Sequence, residues 1–302
     1  LVSNGVGYAQ SPQVLVRSDC LRIYFSTRSQ DRDGKFVSHV AYVDMTHDLG
    51  AVLNVSKHQV LAPGALGCFD EHGIFPFHVM PVDNLVYAYT CGWSRRVSVS
   101  VETAVGLAVS EDHGDTFKRI GPGPIFAASL KEPFLVGDAF VRHYRSKFHM
   151  WYIFGKEWRS FSEENPPDRI YKIAQTTSPD GFQWVPGEGK QIIADVLGPE
   201  ESQALPTVIE LGGRFHMFFC YRESFDFRSA NGRGYRLGYA ISDDLITWHR
   251  KDETISLNDS EEQWDSDMKC YPHVFEANDR CFLLYNGNEF GRRGFGAMEL
   301  SP

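Results

Sequence analysis

A short pattern recurs five times at nearly even intervals along the chain, and it limits the possible folds more than any other feature. Each copy has a short apolar segment, a polar turn and a second segment rich in aromatic residues, which predicts a β-hairpin. The copies are SPQVLVRSDCLRIYFSTR (11–28), FPFHVMPVDNLVYAYTCG (75–92), DAFVRHYRSKFHMWYIFG (138–155), LPTVIELGGRFHMFFCYR (205–222) and YPHVFEANDRCFLLYNGN (271–288). Taking their second residues (positions 12, 76, 139, 206 and 272) as markers gives spacings of 64, 63, 67 and 66 residues, which is typical of repeat architectures.

A second pair of strands is predicted after each of the first four hairpins, around a turn rich in Ser and Asp. The turns are THD (46–48), SEDHGDTF (110–117), SPDGFQW (178–184) and SDDLITW (242–248). Asp side chains in such turns accept hydrogen bonds from turn amides, and a following aromatic residue packs between sheets. We therefore assign Asp112, Asp180 and Asp243, with the aromatic residues Phe117, Trp184 and Trp248, to folding.

Five repeats of four strands predict an all-β chain, a five-bladed β-propeller with four-stranded antiparallel blades and a single domain over residues 1–302. Only 30 residues follow Pro272, which is enough for about three strands. We expect the N-terminus, around LVSNG (1–5) or just after it, to supply the missing strand and close the ring, which leaves no free sheet edge. A β-sandwich with coincidental spacing is the alternative.

The composition argues against several classes of function. The formal net charge is −9, and no basic cluster is denser than the pair Arg95 and Arg96, so no nucleic-acid partner is expected. No run of 18 apolar residues is present, so no membrane span is expected.

The six cysteines form no CxxC pair, and most lie in apolar runs, which favours reduced thiols and a cytoplasmic protein. A bridge between Cys20 and Cys281 stays open, because both fall at similar places in their repeats. A removed signal peptide also stays open, because the sequence begins at Leu1.

A binding site is expected at one rim of the propeller. The first strand of each blade lines the central channel and the second runs antiparallel beside it, so residues just before the first strand and just after the second share a rim. The predicted substrate-binding residues there are Arg28, Asp70, His72, Trp93, Lys156, Gln203, Arg222, Asp267, Lys269, Asn286 and Asn288. Carboxylates, amides, arginines and aromatic rings in one funnel suit a sugar, although loops are polar in general.

The repeats resemble, over essentially the whole chain, the five-bladed propeller glycosidases of the arabinanase, levansucrase and invertase type and the related β-mannoside phosphorylases. The resemblance implies a catalytic base in an Asp-Pro pair opening blade one, a tuning Asp in blade three and a general acid in Glu-Gly-Pro opening blade four. Asp138, in GDAF, matches the tuning Asp. Ser11 precedes Pro12 where the base belongs, and ESQALP has Ala204 two residues before Pro206, where the acid belongs.

The phosphorylase relatives hold phosphate with basic residues. Here Arg28, Lys156, Arg222 and Lys269 are candidates for that role, or they pair with nearby carboxylates.

Glycosidic cleavage needs a proton donor and a second carboxylate. We predict Glu201 as the general acid, because the aliphatic neighbourhood QALP would raise its pKa. Glu71 is the predicted base, with Asp70 and His72 beside it, and Asp138 would orient or tune the acid. The structural alternatives are that Glu71 caps a loop amide and that Asp138 anchors a channel strand.

No catalytic metal or other cofactor is expected. The residues His39, His149, His216 and His273 share no spacing suited to zinc, although an ion in the central channel stays open. GPGP (121–124) does not sit between a strand and a helix, so no nucleotide cofactor is indicated.

The sequence thus predicts a carbohydrate-active protein, a glycoside hydrolase or phosphorylase with a carboxylate pair at the channel mouth. A non-catalytic propeller that binds a sugar or a partner is the alternative.

Overall fold

The computed structural model describes residues 7–163, 165–228, 230, 232–255 and 263–300. Within them the regular secondary structure is almost all β-strand, as the sequence predicted. The first two repeats form one sheet whose strands are β1 (Gln10–Val16), β2 (Leu21–Gln30), β3 (Phe36–Met45), β4 (Val52–Val55), β5 (Gly73–Val82), β6 (Leu85–Arg95), β7 (Val101–Ser110) and β8 (Lys118–Arg119). All pairs in it are antiparallel except one parallel bridge, Ser38 with Gly73, which joins its two four-stranded halves.

Three further antiparallel sheets follow, one for each later repeat. Their strands are β9 (Val136–Tyr144), β10 (Lys147–Arg159) and β11 (Asp168–Ser178); β12 (Glu201–Leu211), β13 (Arg214–Glu223), β14 (Arg236–Ser242) and β15 (His249–Arg250); and β16 (Cys270–Ala277), β17 (Arg280–Asn286) and β18 (Phe295–Leu300). A 3-10 helix (Asp252–Thr254) and a four-residue α-helix (Asn288–Gly291) complete the described elements. No helix among these residues is long and apolar enough to cross a bilayer.

The prediction of four strands per repeat does not hold for the third repeat, whose sheet has three strands among the described residues. After the SPDGFQW turn, Val185 N–H donates to Thr177 O (3.2 Å) and Ile192 N–H to Ile173 O (3.0 Å), but no strand forms between them. The intervening residues include a proline and two glycines, which interrupt a ladder. The strand predicted to complete the fifth repeat, around residues 1–5 or just after them, lies partly outside the described residues, and residues 7–9 form no strand.

The first strand of every repeat carries a β-bulge at the same place. In each of the five hairpins two residues of the first strand oppose one residue of the second, and those two are the marker residue and the residue before it. Four of the preceding residues have left-handed backbone, Ser11 (φ 52°), Asp138 (φ 53°), Leu205 (φ 48°) and Tyr271 (φ 57°). A left-handed residue other than glycine costs about 1–2 kcal/mol, and bulges commonly redirect side chains beside functional sites.

Contacts between the first strands connect all five repeats in a circular order. Each contact joins a first strand to the first strand of the next repeat, and the last joins β16 to β1. The pairs are Gln13 and His78, His78 and Val141, Asp138 and Leu205, Thr207 and Val274, and His273 and Val14. The N-terminal hairpin therefore meets the C-terminal one, and Val14, Leu21 and Ile23 pack with Phe275 and Leu284 in one apolar cluster.

The Ser and Asp turns have the folding role that we predicted, with one correction. Asp112 accepts from Thr116 N–H (2.8 Å), and Asp180 accepts from Phe182 N–H (2.8 Å). In the fourth turn, SDDLITW, it is Asp244 that accepts from the turn amides, because Asp243 is turned outward to pair with Arg214 (2.6 Å).

The aromatic residue after each turn contacts the second strand of the preceding repeat. Phe117 packs on Tyr24, Trp184 on Tyr89 and Trp248 on Trp151, with ring centroids 5.8, 6.0 and 6.2 Å apart. These contacts hold neighbouring sheets together. All six cysteines are unpaired, including Cys20 and Cys281.

Candidate functional site

A cavity of about 1100 Å³ receives side chains from all five repeats. Arg28 at the end of β2, Trp93 at the end of β6, Asp138 early in β9, Arg222 at the end of β13 and Tyr271 early in β16 each line it. These positions lie near the starts of first strands and the ends of second strands. Residues far apart in sequence meet there because the hairpins run in the same sense around the fold.

The bulges supply three of the cavity side chains. Phe75, Asp138 and Tyr271 occupy the same position in their repeats and all line the cavity. Phe75 and Tyr271 also contact each other edge to face, with centroids 5.1 Å apart. The bulge therefore provides an inward position in three of the repeats, and this chain places a carboxylate at only one of those three.

Asp138 is the buried carboxylate of the cavity, with 8% of its surface exposed. Burial raises the pKa of Asp138 to about 7, against the opposing effects of the Leu205 N–H, which donates to Oδ2 (3.3 Å), and of the positive charge on Arg169. Near neutral pH this group both holds and releases a proton. Its bond to Leu205 also ties β9 to β12, so the predicted anchoring role and a role in the cavity coexist in one side chain.

Positive charge predominates in the described lining of the cavity. Five arginines line it, Arg28, Arg169, Arg222, Arg228 and Arg293, against three carboxylates, Asp138, Asp267 and Glu289. Glu289 pairs with Arg292 outside the lining (2.8 Å). This excess is opposite in sign to the net charge of −9 carried by the whole chain.

Arg222 is the most enclosed of these cations, with 1% of its surface exposed. Its Nη2 donates to Tyr171 Oη (2.9 Å) and its Nη1 to Glu223 O (2.8 Å), while its buried Nε has no hydrogen-bond partner. Its guanidinium carbon lies 3.4 Å from the centre of the Phe227 ring. In the described part of the chain no carboxylate lies within ion-pair distance of Arg222, which is unusual for a buried charge.

Tyrosines form the wall beside Arg222. The hydroxyls of Tyr171 and Tyr235 are hydrogen-bonded to each other, and Tyr235 packs on Tyr271 with centroids 5.6 Å apart. Burial raises the pKa of Tyr235 and of Tyr271 well above the ordinary value, so both are neutral phenols. The wall offers aromatic surface and neutral hydroxyls to a ligand.

Five of the eleven predicted binding residues line the cavity, namely Arg28, Trp93, Arg222, Asp267 and Asn288. The other six lie outside its lining, and five of them make contacts within the fold. Asp70 is buried against Arg119 (3.0 Å), His72 stacks on Trp93 (5.7 Å between centroids), Gln203 donates to Ile193 O (3.1 Å), Lys269 donates to Asp265 O (3.1 Å), and Asn286 accepts from Ser11 N–H (2.7 Å). Lys156 is exposed on β10.

Glu201 does not line the cavity, and its surroundings differ from the expected aliphatic pocket. The side chain is fully buried, and it accepts from the Val196 and Leu197 amides (2.8 and 2.9 Å) and from Arg250 Nη1 (2.6 Å). Arg250 comes from the outer strand β15 and crosses Tyr221 of β13, at 4.2 Å from its ring centre. Glu201 therefore lies over the face of its sheet, in a cationic and hydrogen-bonded environment.

Glu71 also lies outside the cavity lining. It accepts from the Gly67 N–H (2.8 Å), with His72 Nδ1 at 3.4 Å. This contact matches the alternative in which Glu71 caps a loop amide. Of the three predicted catalytic residues, only Asp138 reaches the cavity.

Sequence reasoning missed several prominent lining residues, namely Arg169, Tyr171, Arg228, Tyr235 and Tyr271. The first two lie at the start of a third strand, and Arg228 and Tyr235 lie in the segment between β13 and β14. Tyr271 was detectable, because it precedes the marker Pro272 as Asp138 precedes Ala139. No group of three or more His, Cys, Asp or Glu that could hold a metal ion occurs among the described residues.

Comparison with known proteins places the chain beside two groups. It is 32% identical over 289 residues to Uncharacterized protein MT1551 of Mycobacterium tuberculosis strain CDC 1551 and to Uncharacterized protein Rv1502 of strain H37Rv, covering 94% of this chain and 89% of each relative. No protein-family profile matches.

Two solved glycoside hydrolases have the same fold. One, a glycoside hydrolase, has a TM-score of 0.74 and 14% identity over 100% of this chain and 90% of that one. The other, a thermostable family-43 glycoside hydrolase, has a TM-score of 0.67 and 14% identity over 100% of this chain and 91% of that one. An exo-1,5-α-L-arabinanase from a bovine ruminal metagenomic library also has this fold (TM-score 0.68, 10% identity, 97% of this chain and 93% of that one). The chain therefore has the fold of the family-43 glycoside hydrolases.

Proposed function

The chain belongs to the same family as Uncharacterized protein MT1551 of Mycobacterium tuberculosis, and from this premise, its fold and its cavity we propose that it is a glycoside-cleaving enzyme with Asp138 as its proton carrier. The observation that carries the proposal is a buried carboxyl group, with a pKa of about 7, in a cavity lined by aromatic rings. Glycosidic cleavage needs such a group, because the leaving oxygen must receive a proton near neutral pH.

We also propose that residues 1–302 form one five-bladed propeller whose ring is closed between the first and last repeats. The circular order of contacts among the first strands supports this arrangement, as does the apolar cluster shared by β1, β2, β16 and β17. The solved glycoside hydrolases of the same fold cover nearly the whole chain, which supports a single domain.

The proposed reaction uses Asp138 together with one of the two exposed carboxylates of the cavity. Asp138 donates its proton to the glycosidic oxygen as the bond to the anomeric carbon breaks. Asp267 or Glu289 accepts a proton from the water that attacks this carbon, so that the products are a free sugar and an alcohol. Aromatic rings such as Trp93 would stack on the sugar.

The direct test compares turnover of a panel of aryl glycosides by the wild type and by Asp138→Asn. The amide keeps an oxygen for the Leu205 N–H but carries no acidic proton, so we expect kcat to fall about 100-fold or more with the fold intact. Asp243→Asn, a surface aspartate paired with Arg214, is the matched control and should leave kcat unchanged. Equal kcat in Asp138→Asn and the wild type would exclude Asp138 as the proton donor.

A sugar-binding protein without catalysis is a second candidate, and one observation favours it. Only one of the five repeats, the one with Asp138, has a carboxylate at the bulge position. The other four repeats have Ser11, Phe75, Leu205 and Tyr271 there. Saturable binding of oligosaccharides with no turnover of any aryl glycoside, in wild type and Asp138→Asn alike, would favour this function.

A further inference from the structure

The charge of the cavity bears on which sugars it accepts. A neutral sugar is bound by hydroxyl hydrogen bonds and stacking, and it does not require three arginines close together in one wall. Arg169, Arg222 and Arg228 all line the cavity, and in the described residues none of them has a carboxylate within ion-pair distance. The neighbouring Arg236, which lies outside the lining, does have one, Glu223 at 3.3 Å.

Arg222 is built into this wall rather than lying on a mobile surface. It is 1% exposed, and its Nε is enclosed without a partner. Leaving a buried charged donor unpaired costs more than leaving a neutral one, so the fold keeps this arrangement at a cost to its stability. An oxyanion bound in the cavity would supply a countercharge for this buried cation, and guanidinium groups present paired N–H groups that fit carboxylate and phosphate.

Arg228 and Arg169 extend the same charge along the wall. The guanidinium of Arg228 lies 4.2 Å from the centre of the Phe227 ring, the ring that also supports Arg222 at 3.4 Å. Arg169 lies 5.7 Å from the centre of the Tyr171 ring. Partial desolvation by the cavity walls and the like charges of Arg222 and Arg169 lower the pKa of Arg228, which agrees with uncompensated positive charge at this place.

We propose that Arg222, Arg228 and Arg169 bind an oxyanion carried by the substrate, so that the substrate class is an acidic glycoside with a carboxylate or phosphate ester group. The assignment rests on the proposed function in that the cavity is taken as the substrate site. It goes beyond that function by specifying charge. The tyrosine hydroxyls beside Arg222 can donate to the same group.

The test measures binding by titration calorimetry with pairs of ligands that differ only in the anionic group. The pairs are aryl glucoside with aryl glucuronide, aryl galactoside with aryl galacturonide, and glucose with glucose 6-phosphate, and inorganic phosphate is titrated alone. We expect the acidic member of at least one pair to bind about tenfold or more tightly than its neutral partner, with affinity that falls as salt rises. The carboxylate and phosphate pairs distinguish the two sources of the oxyanion.

Arg228→Gln is the main variant, because Arg228 is exposed to the cavity and its loss should not prevent folding. It should lose about tenfold in affinity for the acidic ligand and keep its affinity for the neutral one. Arg236→Gln removes a nearby arginine that is paired with Glu223 and lies outside the lining, and it should bind like the wild type. Near-ultraviolet circular dichroism checks that each variant is folded.

Equal binding of acidic and neutral members in every pair would overturn the proposal, as would an unchanged preference in Arg228→Gln. Turnover of neutral glycosides that requires inorganic phosphate would overturn it too, since the anion would then be a free co-substrate. If acidic sugars bind preferentially but no glycoside is cleaved, the proposed catalytic function is wrong and the proposed oxyanion site is supported. If neutral glycosides are cleaved without preference for acidic ones, the proposed oxyanion site is wrong and the proposed catalytic function is supported.

Discussion

Replacing Glu201 with Gln should weaken the fold and leave the chemistry almost unchanged. The carboxylate is fully buried and makes a charged hydrogen bond with Arg250, whose side chain is 6% exposed. Gln can still accept from the Val196 and Leu197 amides, but its NH2 group faces the Arg250 donor. Breaking one partner of a buried ion pair costs about 3–5 kcal/mol. The lower end of this range applies here, because Arg250 keeps its second ion pair, with Asp252 at 2.8 Å.

The expected cost is therefore about 3 kcal/mol. For a chain of 302 residues, with about 2.1 cal/mol/K of unfolding entropy per residue, this corresponds to a fall in Tm of about 5 °C. Thermal unfolding followed by circular dichroism measures it. Glu223→Gln, in the half-exposed pair with Arg236, is the control and should cost less than about 1 kcal/mol.

Kinetics at 25 °C complete this test, since both variants are expected to be folded there. We expect kcat for a cleaved aryl glycoside to stay within about threefold of the wild type, because Glu201 does not line the cavity. An unchanged Tm together with a fall in kcat of about 100-fold, the size that loss of a general acid produces, would refute this reasoning and restore Glu201 as the general acid.

Three further predictions concern other features of the fold and site. Since burial raises the pKa of Asp138 to about 7, the native state keeps a proton there that the unfolded chain releases above about pH 4. The stability that this proton contributes is therefore lost as the pH rises from about 4 to 7. The urea midpoints at pH 5 and pH 8 should differ less in Asp138→Asn than in the wild type. Asp244→Ala should lower the free energy of unfolding by about 1–2 kcal/mol, whereas Asp243→Ala, which breaks only an exposed ion pair, should cost less than about 1 kcal/mol in the same urea titration. Turnover should be unchanged after dialysis against a chelator, and a loss restored by a divalent cation would contradict the expectation that catalysis needs no metal.

The hairpins were predictable from sequence because their signal is local. Alternating apolar residues, polar turns and the recurrent marker residue all lie within about 18 positions, so a repeat can be recognised without knowing the fold. The Ser and Asp turns were recognisable for the same reason. The shift from Asp243 to Asp244 was not, because both aspartates fit the pattern and the choice depends on Arg214 from the neighbouring strand.

The site was only partly predictable, because facing a cavity depends on the bulge and on contacts between strands. Asp138 and Tyr271 occupy equivalent positions, but only the carboxylate of Asp138 indicates a catalytic role by its residue type. Arg169 and Arg228 lie outside the two strands that were expected to form the rim. Glu201 lies at the expected end of its strand, yet Arg250, 49 residues later in the chain, draws it over the sheet face.

The packing of the first hairpin against the last has a consequence for synthesis of the chain. Ser11 donates its amide to Asn286, and Val14 donates to His273, across 275 and 259 residues. While the ribosome is still adding the final repeat, Val14 and Ile23 lack the contacts that Phe275 and Leu284 make with them, and this apolar surface stays open to chaperones or to other nascent chains. Loss of the last hairpin through premature termination should therefore damage the opposite end of the protein, and such products should be degraded or aggregate rather than accumulate as shorter folded forms.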